Sequence, residues 1–317
     1  MPAKSTSSHK SPVSSYQTGV GLLIFFIVLF SVAATVTLSA LNNRIAARTD
    51  NNTVYPELLE AKEALLAFAM FHTGLSANDN GPGRLPCPDT NNDKFSNNDC
   101  DDNSTIGRLP VEYSFPALKS PADFVFTTRN DDSRFWYALS EGFGFDPSTP
   151  TPALNTSTES TLTLNGQDDI VALIIDAGVA VGTQTRPNNN RANYLEGGNQ
   201  LGTDFVTVPP TLGEFNDRMV AITEAELRAA MTLRVAQSIR QVIVENSLAI
   251  SSEPELQAAM TNLGPSWYSP ESWNVSDFNE VSPGIITFEF ANCDNILFTL
   301  NLNVGTLDRS GQSCTGI

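Results

Sequence analysis

The densest set of metal-type oxygens in the chain lies in the loop after Pro86, which reads CPDTNNDKFSNNDCDD. Asp89, Asn91 and Asp93 stand at alternate positions. That D-x-N-x-D spacing opens many calcium loops, because alternate side chains bring their oxygens onto one hard cation. Asp99 and Asp101, with Asp102, follow closely enough to complete the shell. Any Ca2+ held there would be a structural ion. The loop also departs from an EF-hand. Counted from Asp89, the sixth position is Lys94 where glycine is needed for the sharp turn, and the twelfth is Cys100 where a bidentate Glu belongs. No helices are predicted to flank it. The competing expectation is a solvated Asn/Asp turn pinned by a disulfide.

The four cysteines fall into two local pairs, Cys87 with Cys100 and Cys293 with Cys314. No C-x-x-C occurs, and the only histidines are His9 and His72, so zinc ligation has no support. Two disulfides are expected, which places this part of the chain in an oxidising compartment outside the cytoplasm. In the chain-entropy description a loop of this length contributes roughly 3 kcal/mol when closed.

Other chemistry finds little support. The sequence contains no G-x-S-x-G, G-x-x-x-x-G-K-[ST], H-E-x-x-H or G-x-G-x-x-G. His72 falls on an apolar helical stretch and reads as a packed residue rather than a base. The carboxylate pairs Asp131-Asp132 and Asp168-Asp169 are sequence neighbours of the kind found in surface turns. We therefore expect no enzyme. Trp267, Tyr268 and Trp273 cluster beside Pro265 and Pro270, an arrangement that suits either a binding surface or packing at the edge of a core.

The elements that must position these residues follow from composition and periodicity. The 317 residues are 41% hydrophobic and 17% charged, with a formal net charge of −17. Such acidity argues against a nucleic-acid partner, because phosphate binding needs clustered Lys and Arg. The N-terminus differs. Residues 1–19 carry Lys4 and Lys10 and no acid. From Val20 to Leu41 there are 22 residues without a charge, about 33 Å of helix at ~1.5 Å per residue, which matches a bilayer core. No A-x-A cleavage site follows, so the stretch reads as a transmembrane anchor rather than a secretory signal. Lys4 and Lys10 favour a cytoplasmic N-terminus, while Arg44 and Arg48 oppose it; the cysteine pairs decide for an exported C-terminal part.

After the anchor, residues 42–73 predict a helical stalk broken near Pro56, with an apolar face of Leu58, Leu59, Ala61, Leu65, Leu66, Phe68, Ala69 and Phe71. Two similar turns follow, Gly83-Arg84-Leu85-Pro86 and Gly107-Arg108-Leu109-Pro110. Phe135–Leu139 is an aromatic buried segment, and Ile170–Ile175 is a short apolar run of the kind that makes a central strand. The clearest helix runs from Glu224 to Ser247, opened by a T-x-x-E capping box at Thr223 and Glu226; a shorter one is expected over Glu255–Leu263. Near the C-terminus, Ile286, Phe288 and Phe290, then Ile296, Phe298, Leu300, Leu302 and Val304, alternate with mostly polar residues and predict strands with one buried face. The resulting fold class is α+β: an N-terminal transmembrane helix, then an exported domain over residues 74–317, an antiparallel sheet with helical insertions.

A short basic leader ending in Gly19, followed at once by the apolar run from Val20, resembles type IV pilin-like proteins: pilins, minor pilins and the pseudopilins of type II secretion. Two further stretches are similar to large pilin-like proteins of Gram-negative bacteria. One is GRLPCPDTNND, Gly83 to Asp93, with Gly107 to Pro110. The other joins Ile174–Arg186, Asn193–Asn199 and Phe215–Arg218. The resemblance implies cleavage between Gly19 and Val20 by a prepilin peptidase, assembly with other pilin or pseudopilin subunits through the apolar helix, and an inner-membrane anchor with the domain in the periplasm or on the cell surface. Two positions depart from the family. Val20 stands where Phe or Met usually follows the cleaved Gly, and Ile24 stands where the mature chain usually has Glu. That Glu resembles a counter-charge for a neighbouring subunit's amine during assembly, and a carboxylate in lipid is otherwise costly. Its absence is a trait of the large tip pseudopilin, so the resemblance implies a minor or tip subunit. The alternative is a single-pass anchored periplasmic binding protein that never enters a filament.

Overall fold

The computed structural model describes residues 53–72, 81–97, 100, 105–113, 124–145, 154, 158–207, 215–291, 293, 295–311 and 314. The predicted anchor, Val20–Leu41, and the cleavage positions Gly19 and Val20 lie outside these. Among the described residues no helix is long and apolar enough to cross a membrane. The chain divides into two compact units, Met1–Tyr55 and Pro56–Ile317. The second is a mixed α+β unit with antiparallel sheets and two disulfides.

A first helix, α1, covers residues 53–71. Pro56 lies within its first described turn rather than opening it, a place where proline's fixed φ suits helical backbone. Leu58, Ala61, Leu65, Phe68 and His72 recur at alternating three- and four-residue spacing and are all buried. The buried stripe is narrower than the sequence suggests, since Leu59 and Phe71 are exposed.

The central sheet is built on one long strand. Its members are β1 (Ile106–Arg108), β4 (Trp136–Leu139), β5 (Leu162–Leu164), β6 (Gln167–Asp176), β7 (Asp204–Phe205) and β8 (Arg218–Thr223). β8 runs antiparallel along one edge of β6. On the other edge, β4 pairs with residues 172–175 and β5 with residues 167–170, also antiparallel. β1 extends the sheet beyond β4, and β7 pairs with β5 in parallel. Residues 170–176 of β6 are all buried; a strand covered on both faces reads as a continuous apolar run rather than as an alternation. Asn165 and Gly166, both with positive φ, close the β5–β6 hairpin. A separate two-stranded ribbon joins β2 (Glu112–Tyr113) to β3 (Phe124–Val125).

Helix α2 (Glu224–Glu245) starts directly from β8, and Thr223 and Glu226 form the predicted capping box in both directions. α2 lies against β6 and β8 and also against the second sheet. That sheet is an antiparallel meander of β9 (Val275–Ser282), β10 (Ile285–Phe290), β11 (Leu297–Asn301) and β12 (Thr306–Ser310). Ile286, Phe288, Phe290, Phe298 and Leu300 face inward and are buried, and Phe288 stacks on its cross-strand partner Phe298 at 5.5 Å between centroids. β11 ends at Asn301, so Leu302 and Val304 fall in the turn to β12 and Val304 is exposed. Helix α3 (Glu253–Leu263) packs beside β9. Trp267, Tyr268 and Trp273 are buried and so form no surface; Trp273 meets Phe290 edge to face.

Both disulfides form as paired in the sequence, Cys87–Cys100 and Cys293–Cys314, with Cα atoms 5.4 and 4.3 Å apart. The first lies over Gly144, where a Cβ would run into the Cys100 sulfur.

Candidate functional site

The Asn/Asp loop and the second Gly-Arg-Leu-Pro turn are one structure. Asp89 N–H donates to the Arg108 carbonyl at 2.9 Å and Arg108 N–H returns a bond to the Asp89 carbonyl at 2.8 Å. Gly107 is needed at that crossing, because a Cβ there would sit 2.6 Å from the Asp89 carbonyl oxygen. The loop is thereby stitched to the edge of the central sheet.

The Asp89 side chain is fully buried, and so is its partner Arg134. Arg134 Nη1 donates to Asp89 Oδ2 at 2.8 Å, Lys94 N–H donates to the same oxygen at 2.8 Å, and Asp93 N–H donates to Oδ1 at 3.1 Å. Arg134 also donates through Nη2 to Asn92 Oδ1 and through Nη1 to the Leu109 carbonyl at 3.3 Å. Asn91 Oδ1 accepts from Asp93 N–H, and Asp93 Oδ1 accepts from Phe95 N–H. The oxygens at the D-x-N-x-D positions thus turn toward main-chain amides, and the cation that meets Asp89 is a guanidinium. A Ca2+ ion at this spacing would compete with Arg134 for that carboxylate. Asp99, Asp101 and Asp102 lie outside the described residues. Among the described residues no group of three or more His, Cys, Asp or Glu side chains is placed to hold a metal.

Beside this loop a cleft of about 210 Å3 opens, with Asp89, Thr90 and Asn92 on one wall and Arg108, Trp136 and Arg191 among its other lining residues. Arg108 is the centre of the arrangement. It is buried, with 5% of its surface exposed. Its guanidinium lies over two rings that also meet each other, 4.3 Å from the Trp136 centroid and 4.1 Å from that of Tyr194, with the ring centroids 5.4 Å apart. Its Nη1 donates to the Arg134 carbonyl at 2.8 Å. Burial lowers the Arg108 pKa; the Tyr194 hydroxyl opposes this, and the neighbouring charges of Arg134 and Arg186 add to it.

Arg186 also lies over Tyr194, 4.5 Å from its ring centroid. It spends its donors on neutral oxygens, the carbonyls of Ala177, Gly178, Asn193 and Tyr194 and the Gln184 amide. Arg191 sits in a short 3-10 turn, Arg191–Asn193, capped by Asn190 Oδ1. Among the described residues, none of Arg108, Arg186 and Arg191 pairs with a carboxylate. Three guanidinium groups at one end of the sheet thus have no carboxylate partner among the described residues, on a chain whose net charge is −17.

A second buried polar group joins Glu196 to Asp217. Glu196 Oε2 accepts from the main-chain N–H of Asn216 and Asp217 at 3.0 and 3.1 Å, and Asp217 Oδ2 accepts from Glu196 N–H at 3.0 Å and Asn199 Nδ2 at 2.8 Å. Burial, and then the proximity of the Glu196 carboxyl, pushes the Asp217 carboxyl up to about 8. A protonated Asp217 lets two carboxyl groups share this interior without two charges. The pair positions Tyr194 and Leu195 through the turn that follows Asn193.

The sequence located the loop and the Gly107–Pro110 turn. It did not locate Arg134, Trp136, Tyr194 or Arg186 as their partners. An Arg flanked by aromatic residues at distant positions leaves no local pattern, because the stack is assembled from β1, β4 and a loop. No protein-family model matches the chain, and neither a curated protein nor a solved structure is found to be similar to it.

Proposed function

We propose that the chain is a minor pilin-like or pseudopilin-like subunit, held in the inner membrane by Val20–Leu41 and displaying its α+β domain on the far side as a capping or binding element. The observation that carries this reading is the uncharged run that begins immediately after Gly19, long enough for a bilayer and placed as a prepilin peptidase substrate would place it. Two disulfides in the domain agree with export to an oxidising compartment. The mixed α+β unit of residues 56–317 is compatible with a domain displayed by such a subunit. No catalytic role is proposed.

Ile24 favours a second reading. Without a carboxylate at that position the chain lacks the counter-charge that the family uses in assembly, and a single-pass anchored binding protein needs none. Mass spectrometry of the mature N-terminus separates the two. The filament reading predicts a chain that begins at an N-methylated Val20; a mature chain that retains Met1 contradicts it.

A further inference from the structure

The cleft beside the Asn/Asp loop is organised to receive negative charge. Among the described residues Asp89 is the only carboxylate in its lining, and Arg134 already neutralises it. Arg108 and Arg191 have no acidic partner among the described residues. The indole N–H of Trp136, a buried side chain in the lining, also has no hydrogen-bond partner among the described residues. The amides agree. Asn92 Oδ1 is taken by Arg134 and Asn190 Oδ1 by Ala192 N–H, so each has its Nδ2 donor left over. A pocket that offers guanidinium, indole and amide N–H donors selects an acceptor-rich guest.

The volume narrows the choice. At about 210 Å3 the cleft is smaller than the ~300–1,000 Å3 pockets of drug-sized ligands. A planar anion suits a guanidinium that is already fixed against two aromatic rings, because the fork of N–H donors matches a carboxylate. The lining amides suit hydroxyl groups around that anchor. We infer that this cleft binds a small hydroxylated carboxylate of the uronic-acid class, either free or as a residue of an acidic glycan, with Arg108 and Arg191 receiving the carboxylate and Asn92, Asn189 and Asn190 meeting the hydroxyls. The inference rests on the cleft alone and stands whether or not the chain enters a filament.

The test is calorimetric titration of the full-length protein in detergent with sodium galacturonate, galactose, an oligogalacturonide and inorganic phosphate. Galacturonate is expected to saturate one site, with galactose at least about tenfold weaker because it lacks the carboxylate, and with affinity falling as salt rises. The oligomer binding more tightly than the monomer marks a glycan as the source; equal affinity marks the free acid. Arg191→Gln, at a partly exposed position, keeps the fold and weakens galacturonate about tenfold. Arg108→Lys keeps the charge but loses the stacked fork, and abolishes the saturable heat while circular dichroism stays native. Galactose binding as well as galacturonate, phosphate binding more tightly than either, no saturable heat for any of the four, or unchanged affinity in both variants would each overturn the proposal.

Discussion

Gly83-Arg84-Leu85-Pro86 and Gly107-Arg108-Leu109-Pro110 use the same four residues, and both bury the Arg and the Leu. Their main chains also do similar work. Leu85 exchanges backbone bonds with Phe143 and Phe145, and Leu109 N–H donates to the Phe135 carbonyl. The difference lies beyond each arginine. Arg84 Nη1 donates to the carbonyls of Gly142, at 2.5 Å, and Gly144, at 3.1 Å, and burial pulls its pKa down to about 10. Around it the interior closes: His72 stacks on Phe68 at 5.0 Å and meets Phe145 edge to face at 4.7 Å. Arg108 instead lies against both Trp136 and Tyr194 and lines an open cleft. One copy of the turn is a closed structural clamp and the other borders a cavity. The same motif therefore carries a packing role in one place and a candidate recognition role in the other, and only the partners decide which.

The largest expected effect is on the open side. Asp89→Ala leaves Arg134 charged and buried without its carboxylate, and destabilises the protein by about 3–5 kcal/mol in denaturant unfolding. A loss below about 1 kcal/mol would mean that the loop does not depend on that pair.

The closed side has its own signature, a pH dependence. Burial and the nearby Arg84 charge lower the His72 pKa from 6.5 to about 4. The folded protein keeps the imidazole neutral, whereas the unfolded chain takes up a proton below pH 6.5. Stability is thus complete above pH 6.5 and falls as the pH drops toward 4, by roughly 3 kcal/mol in all, then levels off. Asp217 works in the other sense, since its raised pKa makes its contribution full below pH 3.8 and lost as the pH rises through about 8. His72→Phe isolates the first effect: the slope between pH 4 and 6.5 should flatten relative to the parent. An unchanged slope would contradict the closed environment assigned to His72.

Gly107→Ala drives a Cβ against the Asp89 carbonyl and is expected to cost about 1–3 kcal/mol. Arg191→Gln touches no such feature and should leave the unfolding free energy within about 0.5 kcal/mol. The smallest effect concerns the ion. Because Arg134 already meets Asp89, the melting temperature should be the same in Ca2+ and in chelator; an upward shift with Ca2+ would restore a cation to the loop.

The elements whose residues bury a continuous stripe were legible in the sequence. β6 showed as an apolar run, α2 as a capped amphipathic helix, β10 and β11 as alternations, and both disulfides as local pairs. β9 and β12 were not, because each is mostly solvent-facing and reads VSDFNEVS and TLDRS without a buried period. The Asn/Asp loop was found but the guanidinium that meets Asp89 was not. An oxygen spaced to coordinate a cation is equally able to accept from a main-chain amide or a guanidinium, and Arg134 is 45 positions away from Asp89. Likewise Trp267, Tyr268 and Trp273 form a cluster whose burial depends on β9, β10 and α3, none of which their own spacing reveals. The cleft was illegible for the same reason, being formed by residues from four separate segments.

The measurement that tests the difference between the two turns most directly is the thermal shift caused by saturating galacturonate in the parent protein, Arg84→Lys and Arg108→Lys. The account predicts an upward shift in the parent and in Arg84→Lys, whatever the starting stability of that variant, and none in Arg108→Lys. A shift that survives in Arg108→Lys would contradict the assignment of the open turn as the ligand-facing one.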